Sequence, residues 1–390
     1  MVVAGIILII EGTIEISGVS VKKNPIKCKK MSGSFELEQA KMLAKRDEVE
    51  VSYLATSFHP TKKIKKFGFQ HWNEDGVSVF TYSKFFLPRV FPFYFIKIRN
   101  SFWRTFLNQV QDKQGLPDVI HLHYPTMLML ADVLEEYQRK GVKIVVTEHW
   151  SKVLTKKTDA FETKQLQKYT NMVDSFLCVG PQLKESVLNL TNSNTDVKII
   201  PNVVSNIFNP STSQHNGFRF VAVGRLVKSK QFDKLIEVFA EHFKGNPDIS
   251  LSIIGGGAEM ANLNQLIASF HMDSQIHMLG QMSKADTAKT VSESDCLVCY
   301  SKFETFGVPI IEAWSCGLPA IWTHTCGVLQ TPDDRLGIGV PANDKADLYQ
   351  AMNYMLENIN SYNKNIIREY ALSHYAESVI VNELISIYSH

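Results

Sequence analysis

Short apolar runs, each followed by a stretch with helical periodicity, recur along the chain, and this alternation limits the possible folds more than any other feature. Val49–Thr56, Val119–Tyr124 and Val142–Thr147 read as strands in the first half, and Phe218–Val223, Leu251–Ile254, Ile276–Gly280 and Cys296–Tyr300 in the second. Val119–Tyr124 and Val142–Thr147, short and apolar throughout, suit interior parallel strands, whereas Val49–Thr56 and Phe218–Val223 alternate, Val49–Thr56 like a half-buried strand. Their alternation with helices over 390 residues predicts an α/β chain of two doubly wound domains. Met1–Ile10 reads as a first buried strand, with Ile14–Gly18 as the alternative. Glu11 ends that run well short of the roughly 20 residues that span a bilayer, and no basic segment marks a signal peptide. Phe35–Arg46 carries a helical stripe of Leu37, Ala40, Leu43 and Ala44, with Ser34 as N-cap. Asn206–Gly217, rich in Asn, Ser, Pro and Gly, reads as an interdomain linker.

Composition narrows the classes further. A chain 45% hydrophobic with a formal charge of +2 has large cores and no global attraction to nucleic acid. Six cysteines without metal-type pairing suit reduced thiols in the cytoplasm. Cys296 and Cys299 form a C-x-x-C inside an apolar run and read as core. His121 and His123 share one face of a strand with no third ligand apparent, so they read as core or crevice histidines.

The chemistry concentrates in Ser301–Gly317. A short strand leads into a loop and then a helix, with Pro309 near its start, Gly317 at its C′ position and Pro319 blocking continuation. Free amides around Phe306 and Gly307 at the helix start make an anion site. Glu304 stands just before it and Glu312 a turn inside. Two solvated acids on a capped helix are the bland reading. A glycosidase pair is disfavoured, because the helix N-terminus favours ionised carboxylates while a general acid needs a raised pKa. In the third reading, amides and cations hold a diphosphate and the carboxylates accept hydrogen bonds from sugar hydroxyls. The loop after Phe218–Val223 supplies two cations, Arg225 and Lys230, beside another helix start. Thr147-Glu148-His149-Trp150 sits where a strand ends, the place where ligands gather in open α/β sheets.

Taken together, these segments resemble retaining glycosyltransferases of family 4, of the bacterial polysaccharide-biosynthesis type. The resemblance rests on the E-x7-E pair Glu304 and Glu312 within E-x-F-G-x-x-x-x-E-A, and on G-R-L-x-x-x-K at Gly224–Lys230. It extends to I-P-N at Ile200–Asn202, G-x-G at Gly255–Gly257 and T-x-H at Thr147–His149. It implies the GT-B fold, two Rossmann-like doubly wound parallel-sheet domains facing a cleft. The acceptor-binding domain would be residues 1–205 and the donor-binding domain 206–370, with 371–390, largely the helix Ala371–Tyr388, returning to the first. The implied reaction moves a sugar from a nucleoside diphosphate to a hydroxyl with retained anomeric configuration. Gly33, Arg225 and Lys230 would face the donor diphosphate, and amides of Phe306, Gly307 and Val308 would stabilise it as it leaves. Gln281 and Met282 would read the base, and Glu312 would hold the ribose diol. Glu304 would hold the donor sugar and His149 a sugar hydroxyl. Trp150 stands where relatives often place an Asp that orients this histidine.

No Asp-x-Asp occurs in the sequence, so the expectation is a transferase with no metal and no cofactor besides its donor. A noncatalytic partner subunit of a transferase and a sugar-nucleotide epimerase are the alternatives. The partners expected are a nucleotide sugar and a saccharide acceptor, and no nucleic acid. From Gly76 to Gln111 no acid occurs, and Lys84, Arg89, Lys97, Arg99 and Arg104 are interleaved with aromatic rings. Ordinary core plus a solvated face explains this as well as an interfacial surface does. The second alternative would place the protein at an anionic membrane, on the cytoplasmic face, with a lipid-linked acceptor in surface polysaccharide assembly.

Overall fold

The computed structural model describes residues 5–13, 35–59, 68–85, 92–128, 130–328 and 333–389. The chain divides into two compact units. One comprises Met1–Cys178, Lys184–Ile199 and Val381–His390, the other Val179–Leu183 and Ile200–Ile380. The division thus falls earlier than residue 205, and within 371–390 only the last ten residues group with the first unit. Lys364–Tyr375 and Glu377–Ser389 are two helices where one was expected over Ala371–Tyr388, because Ala376 takes an extended ψ of 153° and breaks the helical path.

Eight strands build the first unit. They are β1 (Gly5–Thr13), β2 (Val49–His59), β3 (Gly68–Glu74), β4 (Val77–Phe85), β5 (Val119–His123), β6 (Lys143–Glu148), β7 (Ser175–Cys178) and β8 (Val197–Ile199). Their spatial order is β3-β4-β2-β1-β5-β6-β7-β8. All pairings are parallel except the β3–β4 hairpin. That hairpin turns at Asp75-Gly76, both at positive φ, a two-residue turn suited to strand twist. β1 extends past the apolar run to Thr13, and the alternative strand Ile14–Gly18 lies outside the described residues. The expected helix forms over Phe35–Leu43 and buries Leu37, Ala40 and Leu43 as its stripe predicts.

The aromatic and cationic stretch resolves toward core over the part described. Along the helix Pro92–Gln114, Phe102, Trp103, Phe106, Leu107 and Val110 are buried on one stripe. Phe106 packs edge-on against Phe69 and Tyr82 of the hairpin. Arg99 is itself buried and donates to the Met127 carbonyl, and Arg104 forms a bidentate pair with Glu136. Helical periodicity thus gathers the rings on one stripe, while Arg99 and Arg104 are each engaged by a protein partner. Lys97 and Ile98 are exposed, while the side chains of Lys84 and Arg89 lie outside the described residues.

Six parallel strands form the second unit: β9 (Phe218–Val223), β10 (Ile249–Ile254), β11 (Ile276–Gly280), β12 (Cys296–Cys299), β13 (Ala320–Thr323) and β14 (Gly337–Val340). Their order is β11-β10-β9-β12-β13-β14. Strand order reverses between β9 and β12, and the crevice beyond their carboxyl ends is where ligands bind in such sheets. The helix Phe232–Phe243 buries Leu235, Ile236, Phe239 and Phe243 against this sheet. Cys296 and Cys299 are buried, unpaired thiols, as expected of core residues.

Candidate functional site

In the second unit the implicated residues arrive on loops at the carboxyl ends of neighbouring strands. After β9 the chain passes Gly224 and Arg225 into a 3₁₀ turn, Lys228–Lys230, and Gln231 at φ 53° redirects it into the helix. Arg225 is exposed. The loop after β10 holds this segment in place. Leu226 N–H donates to Gly256 at 2.9 Å, and Glu259 N–H donates to Leu226 at 3.0 Å. Gly255 and Gly257 have positive φ, and a side chain at either would run into the carbonyls of Gly224 and Leu226. Gly255 and Gly257 therefore serve close loop packing, a role unlike that of a dinucleotide fingerprint. Gln281 and Met282 follow β11, the first exposed and the second half-buried, and the Gln281 side chain lies beside Gly256.

Beyond β12, Lys302 N–H donates to the Ser229 carbonyl at 2.8 Å and joins the acidic loop to the cationic one. Lys230 and Glu304 form a direct ion pair with both side chains mostly shielded. Burial, the largest single influence, would lower the Lys230 pKa, but the charge and hydrogen bond of Glu304 together with the nearby Cys299 and Cys326 raise it on balance. Glu304 is fixed through its backbone. Its N–H donates to Thr325, its carbonyl accepts from Gly327, and Ser301 Oγ donates to its Oε2 at 3.4 Å. The helix Val308–Ser315 then starts at Gly307, whose φ of 105° leaves no room for a side chain, since Cys326 Sγ would lie 2.6 Å away. Among the described residues nothing accepts from the amides of Phe306, Gly307 or Val308. Three amides without a protein acceptor at a helix start are the groups an anion site is built from.

Glu312 departs from the expectation that this helix keeps its carboxylates ionised. It lies beyond the first turn, where the dipole's influence has faded. Burial pushes its carboxyl up to about 7, with Lys284 acting in the opposite direction.

His149 lies in the first unit, and Gly33 lies outside the described residues. His149 follows β6 in a turn organised by Glu148. The buried Glu148 carboxylate accepts from the amides of His149 and Trp150, each at 2.9 Å, and from Thr126 Oγ1 at 2.5 Å. His149 Nε2 and His123 Nδ1 share a 2.9 Å hydrogen bond. Potential metal-ligating atoms of Glu36, His123 and His149 lie within 4.8 Å of one another, a grouping of three distant segments that strand spacing could not reveal. These would be the residues to hold a cation, and the histidine hydrogen bond already engages one nitrogen of each ring.

Residues 37–206 match Glycosyltransferase Family 4, and residues 203–371 match Glycosyl transferases group 1. The chain is 25% identical over 264 residues to the phosphatidylinositol N-acetylglucosaminyltransferase GPI3 subunit of Saccharomyces cerevisiae, covering 65% of this chain and 57% of that protein. It is 23% identical over 308 residues to the N-acetyl-alpha-D-glucosaminyl L-malate synthase of Bacillus anthracis, 76% of each chain. The chain therefore spans little more than half the length of the yeast relative. Among solved structures, sucrose-phosphate synthase from Thermosynechococcus elongatus superposes with a TM-score of 0.76 at 18% identity, over 99% of this chain and 98% of that one. Anabaena Alr3699/HepE in complex with UDP and glucose gives 0.70 at 16% identity, over 99% of both chains. The chain has the GT-B fold and carries the two domains of a glycosyltransferase, a Glycosyltransferase Family 4 domain followed by a Glycosyl transferases group 1 domain.

Proposed function

We propose that the protein transfers a sugar, with retention, from a nucleoside diphosphate to a hydroxyl acceptor. The observation that carries this reading is the juxtaposition of a Lys230–Glu304 pair, the exposed Arg225 and three unused amides at one helix start. The diphosphate is held by Arg225, Lys230 and those amides, which stabilise negative charge as it develops on the leaving group. Glu304 accepts hydrogen bonds from the donor sugar and Glu312 from the ribose diol. Gln281 and Met282 border the base, and His149 meets a sugar hydroxyl. The names of the yeast and Bacillus relatives support N-acetylglucosamine as the sugar, and the UDP-bound neighbour supports uridine as the base. The yeast name, which includes phosphatidylinositol, also supports a lipid acceptor, and with such an acceptor the protein would work at the cytoplasmic face of a membrane.

The deciding assay incubates the protein with a panel of nucleotide sugars and scores release of nucleoside diphosphate. Uridine-diphosphate N-acetylglucosamine should be consumed fastest. No release from any donor would favour a noncatalytic partner subunit, and epimerised donor without release would favour an epimerase. Cations on the loops take the place a metal occupies elsewhere, so turnover should persist in excess chelator. Loss of turnover that Mg²⁺ or Mn²⁺ restores would contradict this.

A further inference from the structure

Three histidines are stacked beneath the turn that carries His149. The rings of His121 and His123 lie 4.3 Å apart and those of His123 and His149 5.1 Å apart, with interplanar angles of 29° and 23°. Tyr124 closes the far side of His149 at 4.9 Å. The stack is anchored at its base. His121 Nδ1 bonds the Tyr388 hydroxyl at 2.7 Å, and its Nε2 bonds Thr147 Oγ1 at 2.6 Å. Tyr388 belongs to the last helix and Thr147 to β6, two residues before His149, so segments far apart in sequence hold the same column. All three imidazoles are buried. A neutral imidazole has one donor and one acceptor nitrogen, and a neighbour that engages one of them decides which tautomer is present.

We propose that His123 is a positioning residue for His149. The hydrogen bond between its Nδ1 and His149 Nε2 fixes the His149 ring and selects a single tautomer of it. It supplies the orientation that an acidic residue at position 150 would otherwise give. The close packing of the three rings supports the same picture, since a ring held on both sides has little freedom to turn. A neutral His149 contributes a directed hydrogen bond and no charge.

This role rests on the transferase reading, and the test separates the two. The full chain is labelled with ¹⁵N-histidine and compared with His123→Phe, which keeps a stacked ring, and His123→Asn, which keeps a polar atom near the Nδ1 position. The wild type should show one neutral tautomer of His149, assigned with His149→Gln. His123→Phe should shift it to a mixture and lower kcat by about tenfold, the worth of one hydrogen bond, with little change in donor KM. His123→Asn should recover both the tautomer and most of the turnover. An unchanged tautomer and unchanged kcat in His123→Phe would overturn the proposal. So would equal loss in both variants with unaltered His149 signals, which would mark a purely structural role. A wild type that consumes no nucleotide sugar sinks the transferase reading, whereas an active wild type with an unaffected His123→Phe sinks only the positioning role.

Discussion

Arg225 is exposed and Glu312 half-buried, and the two should respond differently to substitution. Arg225 is exposed at the loop apex and carries no structural partner among the described residues, so its removal should cost binding without costing stability. A charged hydrogen bond is worth about 1.5–3 kcal/mol, so Arg225→Ala should weaken nucleoside diphosphate binding at least about tenfold by calorimetric titration. Unchanged affinity would remove it from the clamp. Glu312 should behave in the opposite way. Its folded-state pKa is raised by burial from 4.5 to about 7. Ionisation therefore opposes folding: the carboxyl is harmless below its unfolded pKa, and stability falls as pH rises through the interval between the two values. Glu312→Gln should match the wild type near pH 4 and exceed it near pH 8 by up to about 3 kcal/mol in urea unfolding. The same substitution should weaken donor binding, since the amide accepts the ribose diol less well than a carboxylate. A variant that gains neither stability nor loses affinity would show that Glu312 is neither desolvated nor in contact with the donor.

Among elements, the loops after β9 and β10 depend on each other. The Arg225 loop has its backbone seated on Gly255–Gly257, and the carbonyl of Gly224 fills the space a side chain at 255 would need. Gly255→Ala should therefore combine backbone strain with a clash and cost about 1–3 kcal/mol of stability. Gly245 supplies the control, since its φ is +84° with nothing within 4 Å of an added Cβ. Gly245→Ala pays strain alone, and only Gly255→Ala should also weaken donor binding by displacing Arg225. Equal effects of the two substitutions on unfolding and on binding would contradict the loop coupling.

Two compact units make a response confined to one of them the natural outcome of donor binding. The residues proposed for the diphosphate lie in the second unit, at residues 224–230 and 304–308. Uridine diphosphate at a hundredfold excess over Kd should stabilise the native chain by about 2.7 kcal/mol. Hydrogen exchange should slow mainly in those two segments and around 281–282, while β5 of the first unit, Val119–His123, exchanges as before. Protection spread evenly over both units would argue against a diphosphate site built by the second alone.

Much of this was legible in the residues. Apolar runs marked the parallel strands because strands covered on both faces carry no alternating polar side. Pro309, Gly317 and Pro319 marked the helix behind the anion site through local backbone limits, and G-R-L-x-x-x-K and E-x7-E placed the charges. Other features depended on packing across distance. The burial of Phe102, Trp103 and Phe106 along Pro92–Gln114, and of Arg99 with them, needed the helix to choose its buried stripe. The raised pKa of Glu312 arose from neighbours that its sequence position does not reveal. The column of His121, His123 and His149, tied by Thr147 and Tyr388, joins two strand ends with the last helix. Local propensity and motif spacing determined which segments supply the cations and the open helix start. Tertiary structure decided which carboxylate is desolvated and which histidine holds another, because burial and hydrogen bonding are set by neighbours brought together only when the chain folds.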